Sequence, residues 1–167
     1  DRPNQKWLAD ITYIRTQEGW LYLAAVLDLY SRRIVGWAMA SRMTSDLTQQ
    51  ALRMAIEQRR PTADLMHHSD QGSQYTAGDY QQILQDWEIQ VSMNGVGSWS
   101  DNSPMESFFG TLKSEWVYRQ DYRTRVEARV DLFYYIEAFY NRRRLHSSID
   151  YCSPEEYEQL YYEEHFA

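Results

Sequence analysis

Apolar residues along the first forty positions fall into three short runs separated by turn signals. Residues 7–15 are rich in β-branched and aromatic types, residues 20–27 are almost continuously apolar, and residues 33–40 repeat that character. The intervening residues 17–19 and 28–32 carry the glycine, aspartate and serine typical of turns. Strands joined by turns this short usually pair antiparallel. The pattern therefore predicts a three-stranded antiparallel meander.

The spacing of apolar positions then becomes helical. The repeat is visible at Leu47, Ala51, Met54 and Ala55. Pro61 ends this helix, and residues 65–69 read as a short strand. Thr76 is a candidate cap for a second helix that runs to about Trp87, and residues 89–92 form a fifth strand. A meander followed by alternating helices and strands predicts an α/β fold with a five-stranded mixed sheet.

The rest of the chain reads as a loop followed by three helices. Residues 93–103 are polar and carry glycines, so we expect a loop that substrate or metal would order. Pro104 suits the first turn of a helix over 104–118. Capping-box patterns at 124–127 and 153–156 predict two more helices, the first reaching about Asn141. Residues 1–167 thus read as one domain with a C-terminal helical extension from about residue 124.

Composition narrows the class of protein. The 167 residues suffice for one substantial core, and the single Cys152 excludes an internal disulfide. No run approaches the roughly 20 apolar residues that span a membrane, and no signal peptide is visible, so we expect a cytoplasmic protein. The chain begins with Asp1 rather than Met, which suggests a domain of a longer protein.

Charge is unevenly distributed. The formal net charge is −7, which by itself argues against nucleic-acid binding. Residues 113–146, however, hold eight basic and five acidic residues, whereas residues 147–167 hold six acidic residues and no Lys or Arg. Bound cations would offset part of the remaining negative charge in residues 1–112. We expect the acidic C-terminal segment to face away from any nucleic-acid phosphate.

Three carboxylates stand out from the other acidic residues. Asp10 interrupts an apolar strand, where an unpaired buried carboxylate costs several kcal/mol and needs a cation. Asp70 follows a strand, at the sheet edge where α/β proteins place ligands. Glu106 begins a helix, a position that the helix dipole also favours for ordinary reasons. Magnesium prefers carboxylate oxygens, and a two-metal site needs several of them, so the set predicts a nuclease or strand transferase.

Other acidic and amide residues have ordinary interpretations. A lone aspartate is most often a cap, a turn residue or a salt-bridge partner, and we assign such structural roles to Asp28 and Asp46. Asp101 and Asn102 directly precede Glu106, so they are candidates for positioning the loop or contacting DNA.

Several basic residues are candidates for phosphate contacts. Lys113 lies seven residues after Glu106, about two helical turns, so the two share a helix face. It is equally an ordinary solvated lysine. The other candidates are Arg142, Arg143 and Arg144. These arginines would position DNA without reading its sequence, or complement a helix dipole, or do both.

Two adjacent histidines precede the second aspartate of the set. His67 and His68 lie on one strand, where neighbouring side chains point to opposite faces. Without a further histidine or cysteine at ligand spacing, a zinc site is not expected.

The motifs occur in an order that resembles a known family. They are Trp7-x-x-Asp10-Ile11-Thr12-Tyr13, Asp28-x-x-Ser31-Arg32-x-Ile34-Val35-Gly36-Trp37, His67-His68-Ser69-Asp70-Gln71-Gly72, Asp101-Asn102-x-x-x-Glu106 and Tyr140-Asn141-x-x-Arg144-x-His146. This arrangement resembles the integrase-like catalytic core of bacterial DDE transposases of the insertion-sequence-three family, related to retroviral integrases. The resemblance departs from the family pattern at the uncharged residues 94–97 and at Asp150, a position commonly occupied by glycine.

The resemblance implies a specific chemistry. The fold would be ribonuclease-H-like, and Asp10, Asp70 and Glu106 would bind two Mg²⁺ ions, with Mn²⁺ as a substitute. The expected partners are transposon-end DNA, target DNA and further copies of the chain, at least a dimer, in the bacterial nucleoid. The expected reaction is cleavage at a transposon end followed by strand transfer of the 3′-hydroxyl. Two other readings stay open: a ribonuclease-H-like nuclease without strand transfer, and a domesticated DNA-binding module without catalysis.

Overall fold

The computed structural model describes residues 1–70, 72–93 and 102–166, and its strands form one mixed sheet. The strands are β1 (Lys6–Thr16), β2 (Gly19–Asp28), β3 (Ile34–Ala40), β4 (Met66–Ser69) and β5 (Gln90–Met93). Their order across the sheet is β3-β2-β1-β4-β5. The first three pair antiparallel, whereas β4 runs parallel to both β1 and β5. The predicted meander and five-stranded mixed sheet are confirmed.

Helices cover both faces of this sheet. They are α1 (Ser45–Arg59), α2 (Ser73–Thr76), α3 (Gly78–Asp86), α4 (Ser103–Glu115), α5 (Arg125–Tyr134) and α6 (Pro154–Phe166), with short 3₁₀ turns at Val117–Arg119 and Ser147–Ile149. None of these helices has the length and apolar character needed to cross a bilayer.

One face of the sheet packs against α4 and α5. Leu8 and Ile14 of β1 point into this layer, whereas their neighbours Trp7 and Ala9 point to the other face, as strand alternation requires. The buried residues of α4 are Met105, Phe108, Phe109 and Leu112. Their spacing places one apolar stripe on the sheet, so the opposite side of α4 faces away from the core.

The second face packs against α1 and α3, and the contact with α1 is close. Gly36 of β3 faces the backbone of α1, and a Cβ atom built on it would lie 2.2 Å from the carbonyl oxygen of Ala51. Only glycine allows this approach. The motif position Gly36 therefore sets how tightly helix and sheet meet.

The second helix of the α/β half begins differently from the prediction. Thr76 does not cap a helix, because it ends the short α2, and Ala77 precedes α3. The chain instead turns at Gly72, whose carbonyl accepts the backbone N–H of Tyr75 at 2.9 Å, and Tyr75 is buried. Burial of this tyrosine, not a threonine cap, determines where the chain turns.

The helix predicted over 124–141 changes its geometry partway. Regular α5 ends at Tyr134, and the chain continues as a π-helical segment over Tyr135–Tyr140. The wider turn delivers Asn141 to β3, where its amide accepts from the backbone N–H of Ile34 at 2.9 Å and donates to the Ile34 carbonyl at 3.0 Å. The predicted start of α5 is confirmed, since the Thr124 side chain accepts a hydrogen bond from the backbone N–H of Glu127 at 3.0 Å.

The turn before α6 contains the residue that departs from the family pattern. Asp150 and Tyr151 have φ angles of +56° and +59°, in the left-handed region that favours glycine. Asp150 thus adopts the conformation that glycine adopts easily. The predicted capping box of α6 is confirmed, with Ser153 and Glu156 exchanging hydrogen bonds at 2.9 and 3.3 Å.

A buried ion cluster fastens α6 to the rest of the fold. Glu158 of α6 is only 3 % exposed. Its two carboxylate oxygens accept from the Arg59 guanidinium at 2.6 and 2.7 Å, and Ser31 donates to it at 2.7 Å. Asp28, fully buried, lies 3.2 Å from the same guanidinium. Glu158 is therefore an internal carboxylate whose charge is neutralised inside the protein, and the expectation that the acidic segment faces away from phosphate stays a prediction.

Candidate functional site

Adjacent parallel strands bring the first two candidate carboxylates together. Leu8 of β1 pairs with His68 of β4, and this is the last pair between the two strands. Asp10 and Asp70 each lie two residues beyond that pair. Parallel strands end at the same edge of a sheet, so both carboxylates lie where β1 and β4 begin to separate.

Asp10 is half-buried and held by two hydrogen bonds. Its Oδ1 accepts the backbone N–H of Ile11 at 2.8 Å, and its Oδ2 accepts the side-chain amide of Asn102 at 3.2 Å. Burial raises the pKa of Asp10, and the negative charges of Asp70 and Glu106 raise it further, against the lowering effect of the two hydrogen bonds. The three carboxylates are therefore close enough to repel one another.

Asp70 is oriented by the glycine that follows it. The backbone N–H of Gly72 donates to Asp70 Oδ1 at 2.8 Å. A Cβ atom at Gly72 would lie 2.9 Å from that oxygen. The hydrogen bond orients the carboxylate at the strand end, and a side chain at position 72 would have to displace it. The sequence signal for it is the Asp-x-Gly spacing.

Glu106 is exposed on the first turn of α4. Its backbone N–H donates to the Asn102 carbonyl at 3.1 Å. Neighbouring Met105 and Phe108 are buried in the core, so the first turn is anchored from the inside while Glu106 faces outward. A rigid helix end thus carries the third carboxylate.

Asn102 joins the helix end to β1. Its side chain is 7 % exposed, its amide nitrogen donates to Asp10, and its Oδ1 is buried without a hydrogen-bond partner among the described residues. In this structure Asn102 orients a carboxylate, and the DNA contact suggested for it by its position before Glu106 stays a prediction.

The donor set suits a hard divalent cation. All three side chains offer carboxylate oxygens, the ligands that Mg²⁺ prefers. Over residues 1–70, 72–93 and 102–166, no lysine or arginine forms an ion pair with Asp10, Asp70 or Glu106. Within the same residues, no three acidic, histidine or cysteine side chains are already close enough to enclose an ion. The charges of Asp70 and Glu106 act on Asp10 without such a group being formed.

Lys113 lies beside an aromatic pair that sequence reasoning missed. Its Nζ is 4.9 Å from the ring centroid of Tyr13, and burial lowers the pKa of the amine. The Tyr13 ring packs edge-on against Trp20 at 4.9 Å. Both aromatic side chains are about half exposed. The sequence signal for this pair was the presence of two aromatic residues, Tyr13 and Trp20, on neighbouring strands. In the structure the Lys113 amine lies beside the apolar surface that these rings form.

The three candidate arginines differ in their surroundings. Arg142 and Arg143 are exposed, and Arg142 lies 3.5 Å from Glu155. Arg144 instead makes a two-pronged ion pair with Glu115, at 2.7 and 3.0 Å. Its guanidinium thus tethers the C-terminal segment to α4. Phosphate contacts by these residues stay predictions.

The two histidines before Asp70 are both buried. His67 contacts the Tyr80 hydroxyl through Nε2 at 2.6 Å, and His68 lies 3.3 Å from the Ser92 hydroxyl. Burial lowers the pKa of His67 to about 4, so its ring is neutral at pH 7. Of the remaining candidates, Asp101 and the uncharged residues 94–97 lie outside the described residues.

The chain belongs to the integrase core domain family. Models described as "Integrase core domain" match residues 1–98 and residues 106–165. The first match contains Asp10 and Asp70, and the second begins at Glu106.

Among its relatives are proteins of bacterial insertion sequences. The chain is 49 % identical over 161 residues to the 31 kDa protein of insertion element IS600 of Shigella sonnei, with 96 % of this chain and 59 % of that protein covered. It is 46 % identical over 156 residues to transposase InsF of insertion sequence IS3A of Escherichia coli, covering 93 % of this chain and 54 % of the relative. The chain thus spans little more than half the length of these relatives, and the resemblance read from the motifs is confirmed.

Solved structures confirm the fold. The catalytic core domain of HTLV-2 integrase, solved in complex with magnesium, superposes with a TM-score of 0.72 at 16 % identity, covering 94 % of this chain and 97 % of that one. At this identity the likeness concerns the fold alone. The predicted ribonuclease-H-like architecture is therefore confirmed.

Proposed function

We propose that this chain is the catalytic core of a DNA transposase, a metal-dependent polynucleotidyl transferase. It would cleave at transposon ends and join the freed 3′-hydroxyl to target DNA. The proposal is supported by membership of the integrase core domain family, together with the positions of Asp10 and Asp70 just beyond the last pair of β1 and β4 and the effect of the Asp70 and Glu106 charges on Asp10.

The three carboxylates would hold two Mg²⁺ ions, for which Mn²⁺ would substitute. Bound there, the ions would activate the attacking oxygen and stabilise the leaving oxygen of an in-line displacement. The chain's own contribution is orientation. Asn102 fixes the Asp10 carboxylate, and the Gly72 amide fixes that of Asp70. Lys113, on the same helix as Glu106, supplies positive charge for a nearby phosphate.

The chemistry proceeds in two displacements at phosphorus. In the first, a water oxygen attacks the phosphodiester at the transposon end, and the 3′-oxygen leaves as a hydroxyl. In the second, that 3′-oxygen attacks a phosphodiester of the target, whose own 3′-oxygen leaves. Two transposon ends must meet in one assembly, so the active species would be a homo-oligomer, at least a dimer, acting on chromosomal DNA in the bacterial cytoplasm.

A branched DNA substrate tests this proposal without requiring recognition of a transposon end. Its 3′-hydroxyl lies beside the phosphodiester to be attacked, and joined product is measured on a denaturing gel with Mg²⁺ or Mn²⁺. We expect Asp70→Asn to lower the joining rate about 1,000-fold, equivalent to several kcal/mol of transition-state stabilisation. Asp79→Asn, the same change at an exposed position on α3, should join at the wild-type rate.

The remaining outcomes separate the other functions. Metal-dependent cleavage by the wild-type chain without joined product would favour a ribonuclease-H-like nuclease. DNA binding without any metal-dependent processing would favour a domesticated module. Joining at an unchanged rate by Asp70→Asn would show that the assignment of the carboxylates is wrong.

A further inference from the structure

A polar cleft lies beside the start of α4. It has a volume of about 670 Å³, and its walls come from the first turns of α4, the segment after the π-helical turn, and the turn between β2 and β3. Ser103 and Ser107 line it from α4. Glu106 lies between these two serines in the chain, so the cleft begins one residue from a proposed catalytic carboxylate.

The cleft contains a cation, Arg32, whose side chain has no polar partner within residues 1–70, 72–93 and 102–166. Arg32 lines it and is half-buried, yet its guanidinium makes no hydrogen bond or ion pair with the described part of the chain. Only its backbone is engaged, through a 2.8 Å bond from its N–H to the Asp28 carbonyl. Its φ of +66° places it in the left-handed region, at the end of the turn. A partly desolvated, unpaired charge costs free energy, which an anionic ligand would recover.

Arg144 and His146 also line the cleft. Arg144 is bound to Glu115, and its Nη1 lies 3.4 Å from Nδ1 of His146. Burial, and then the positive charges of Arg144 and Arg32, lower the pKa of His146 to about 4, so its ring is neutral at pH 7. The ring's Nε2 is buried without a partner among the described residues.

The remaining lining suits an oxyanion. Hydroxyl groups come from Ser103, Ser107, Ser147, Ser148 and Tyr151. Among the described residues that line the cleft, none carries a carboxylate side chain. Hydroxyls and guanidinium groups are the side chains that contact DNA phosphate oxygens, and arginine does so with a planar pair of donors.

We propose that this cleft binds a backbone phosphate of the DNA strand that reaches the catalytic carboxylates, with Arg32 as its principal charge. The inference rests on the proposed function for the identity of the strand. It assigns a role to Arg32, a motif residue that the carboxylate chemistry does not use. Phosphate held here would fix the strand relative to Glu106 through the rigid start of α4.

Salt-dependent DNA binding tests the proposal independently of catalysis. The affinity of the chain for a short duplex without Mg²⁺ is measured from 20 to 200 mM KCl, and the slope of log K against log [KCl] counts released counterions. Loss of one phosphate contact reduces that slope by about 0.9. We expect this reduction for Arg32→Gln, with weaker binding at every salt concentration. Arg32→Lys retains the charge and should retain the slope.

The matched control is Arg53→Gln. This arginine is exposed on α1, which packs on the opposite face of the sheet, so the same charge change there should leave the slope unchanged. Thermal unfolding checks that each variant folds, and the Arg32 side chain has no hydrogen bond or ion pair to lose among the described residues. Equal slopes for Arg32→Gln and Arg53→Gln, or a wild-type chain without salt-dependent binding, overturn the proposal.

Two further measurements separate the cleft from the catalytic proposal. If the wild-type chain joins the branched substrate and Arg32→Gln keeps the wild-type slope, the cleft assignment fails and the transposase proposal stands. If Arg32→Gln loses slope but no joining occurs, the cleft binds DNA and the strand-transfer proposal fails. Calorimetric titration with inorganic phosphate adds one more outcome: binding of the free ion together with an unchanged DNA slope would assign the cleft to the ion and overturn its assignment to DNA.

Discussion

The fold contains two clusters of carboxylates that treat negative charge in opposite ways. In the first, Asp28 and Glu158 share the Arg59 guanidinium at distances of 3.2 Å and below, and both are almost completely buried. In the second, Asp10, Asp70 and Glu106 approach one another without forming an ion pair to any described lysine or arginine.

The way each cluster is neutralised indicates its role, structural for the first and, as proposed, catalytic for the second. A buried carboxylate must be neutralised, and the first cluster does so within the chain, using Arg59 of α1 and Ser31 of the β2–β3 turn. In the second cluster the donors to Asp10 among the described residues are neutral, Asn102 and the backbone N–H of Ile11, and they orient its carboxylate without cancelling its charge. Under the proposed function, bound metal ions would supply that neutralisation. Acidic content alone would not distinguish the two clusters; their partners do.

Breaking the paired cluster should produce the largest effect on stability. Replacing Glu158 by Ala leaves the Arg59 guanidinium buried with a single, more distant carboxylate, and such losses cost about 3–5 kcal/mol. Urea denaturation at pH 7 measures the free energy of unfolding. Glu164→Ala, an exposed change on the same helix, should stay within about 0.5 kcal/mol of wild type. A loss for Glu158→Ala no larger than that of the control would contradict the structural assignment.

A third buried group sharpens the comparison, because His67 avoids charge altogether. In the folded protein burial lowers its pKa to about 4, against 6.5 for an unperturbed histidine. Between these values the unfolded chain binds more protons, so stability is fully present above pH 6.5 and is lost as pH falls towards 4. We expect this group to contribute a loss of about 3 kcal/mol between pH 7 and pH 4. In His67→Gln that share of the pH dependence should vanish; an unchanged profile would contradict it.

Cation binding should also distinguish the two clusters, through a change in the free energy of unfolding that is smaller than those expected for Glu158→Ala and for His67. A ligand that binds only the folded state stabilises it by about 2.7 kcal/mol at one hundred times its dissociation constant. We therefore expect Mg²⁺ to raise the melting temperature of the wild-type chain but not of Asp10→Asn. Arg33→Gln, which alters the edge of the paired cluster, should keep the Mg²⁺ response even if its starting stability is lower. An equal response in wild type and Asp10→Asn would argue against a metal at this position.

Much of the fold was predictable from sequence because its signals are local. The apolar runs that become β1, β2 and β3, the stripe on α4 and both capping boxes each depend on residues close together in the chain. The π-helical turn over Tyr135–Tyr140 was not predictable, since the same residues suit an ordinary α-helix. Its geometry follows from Asn141, which must reach Ile34 on a strand more than a hundred positions earlier.

The candidate site likewise has features that local sequence predicts and features that depend on long-range contacts. The identity of Asp10, Asp70 and Glu106 could be proposed from their local contexts and from the family resemblance. Their supports could not, because Asn102 contacts Asp10 across 92 positions. Glu158 likewise looked like one acid among several, and only its pairing with Arg59, 99 positions earlier, shows that it is internal. Long-range partners decide what a charged residue does.

The brief pairing of β1 with β4 has a consequence for local unfolding. Only three residue pairs join these strands, whereas ten join β1 to β2. Segments with few backbone hydrogen bonds open at lower free energy than the rest of a fold. The amides of β4 and β5 should therefore exchange with deuterium sooner than those of the meander. Asp10 and Asp70 stand on opposite sides of this junction, so a ligand that both hold would slow exchange across it and make two cooperative units behave as one.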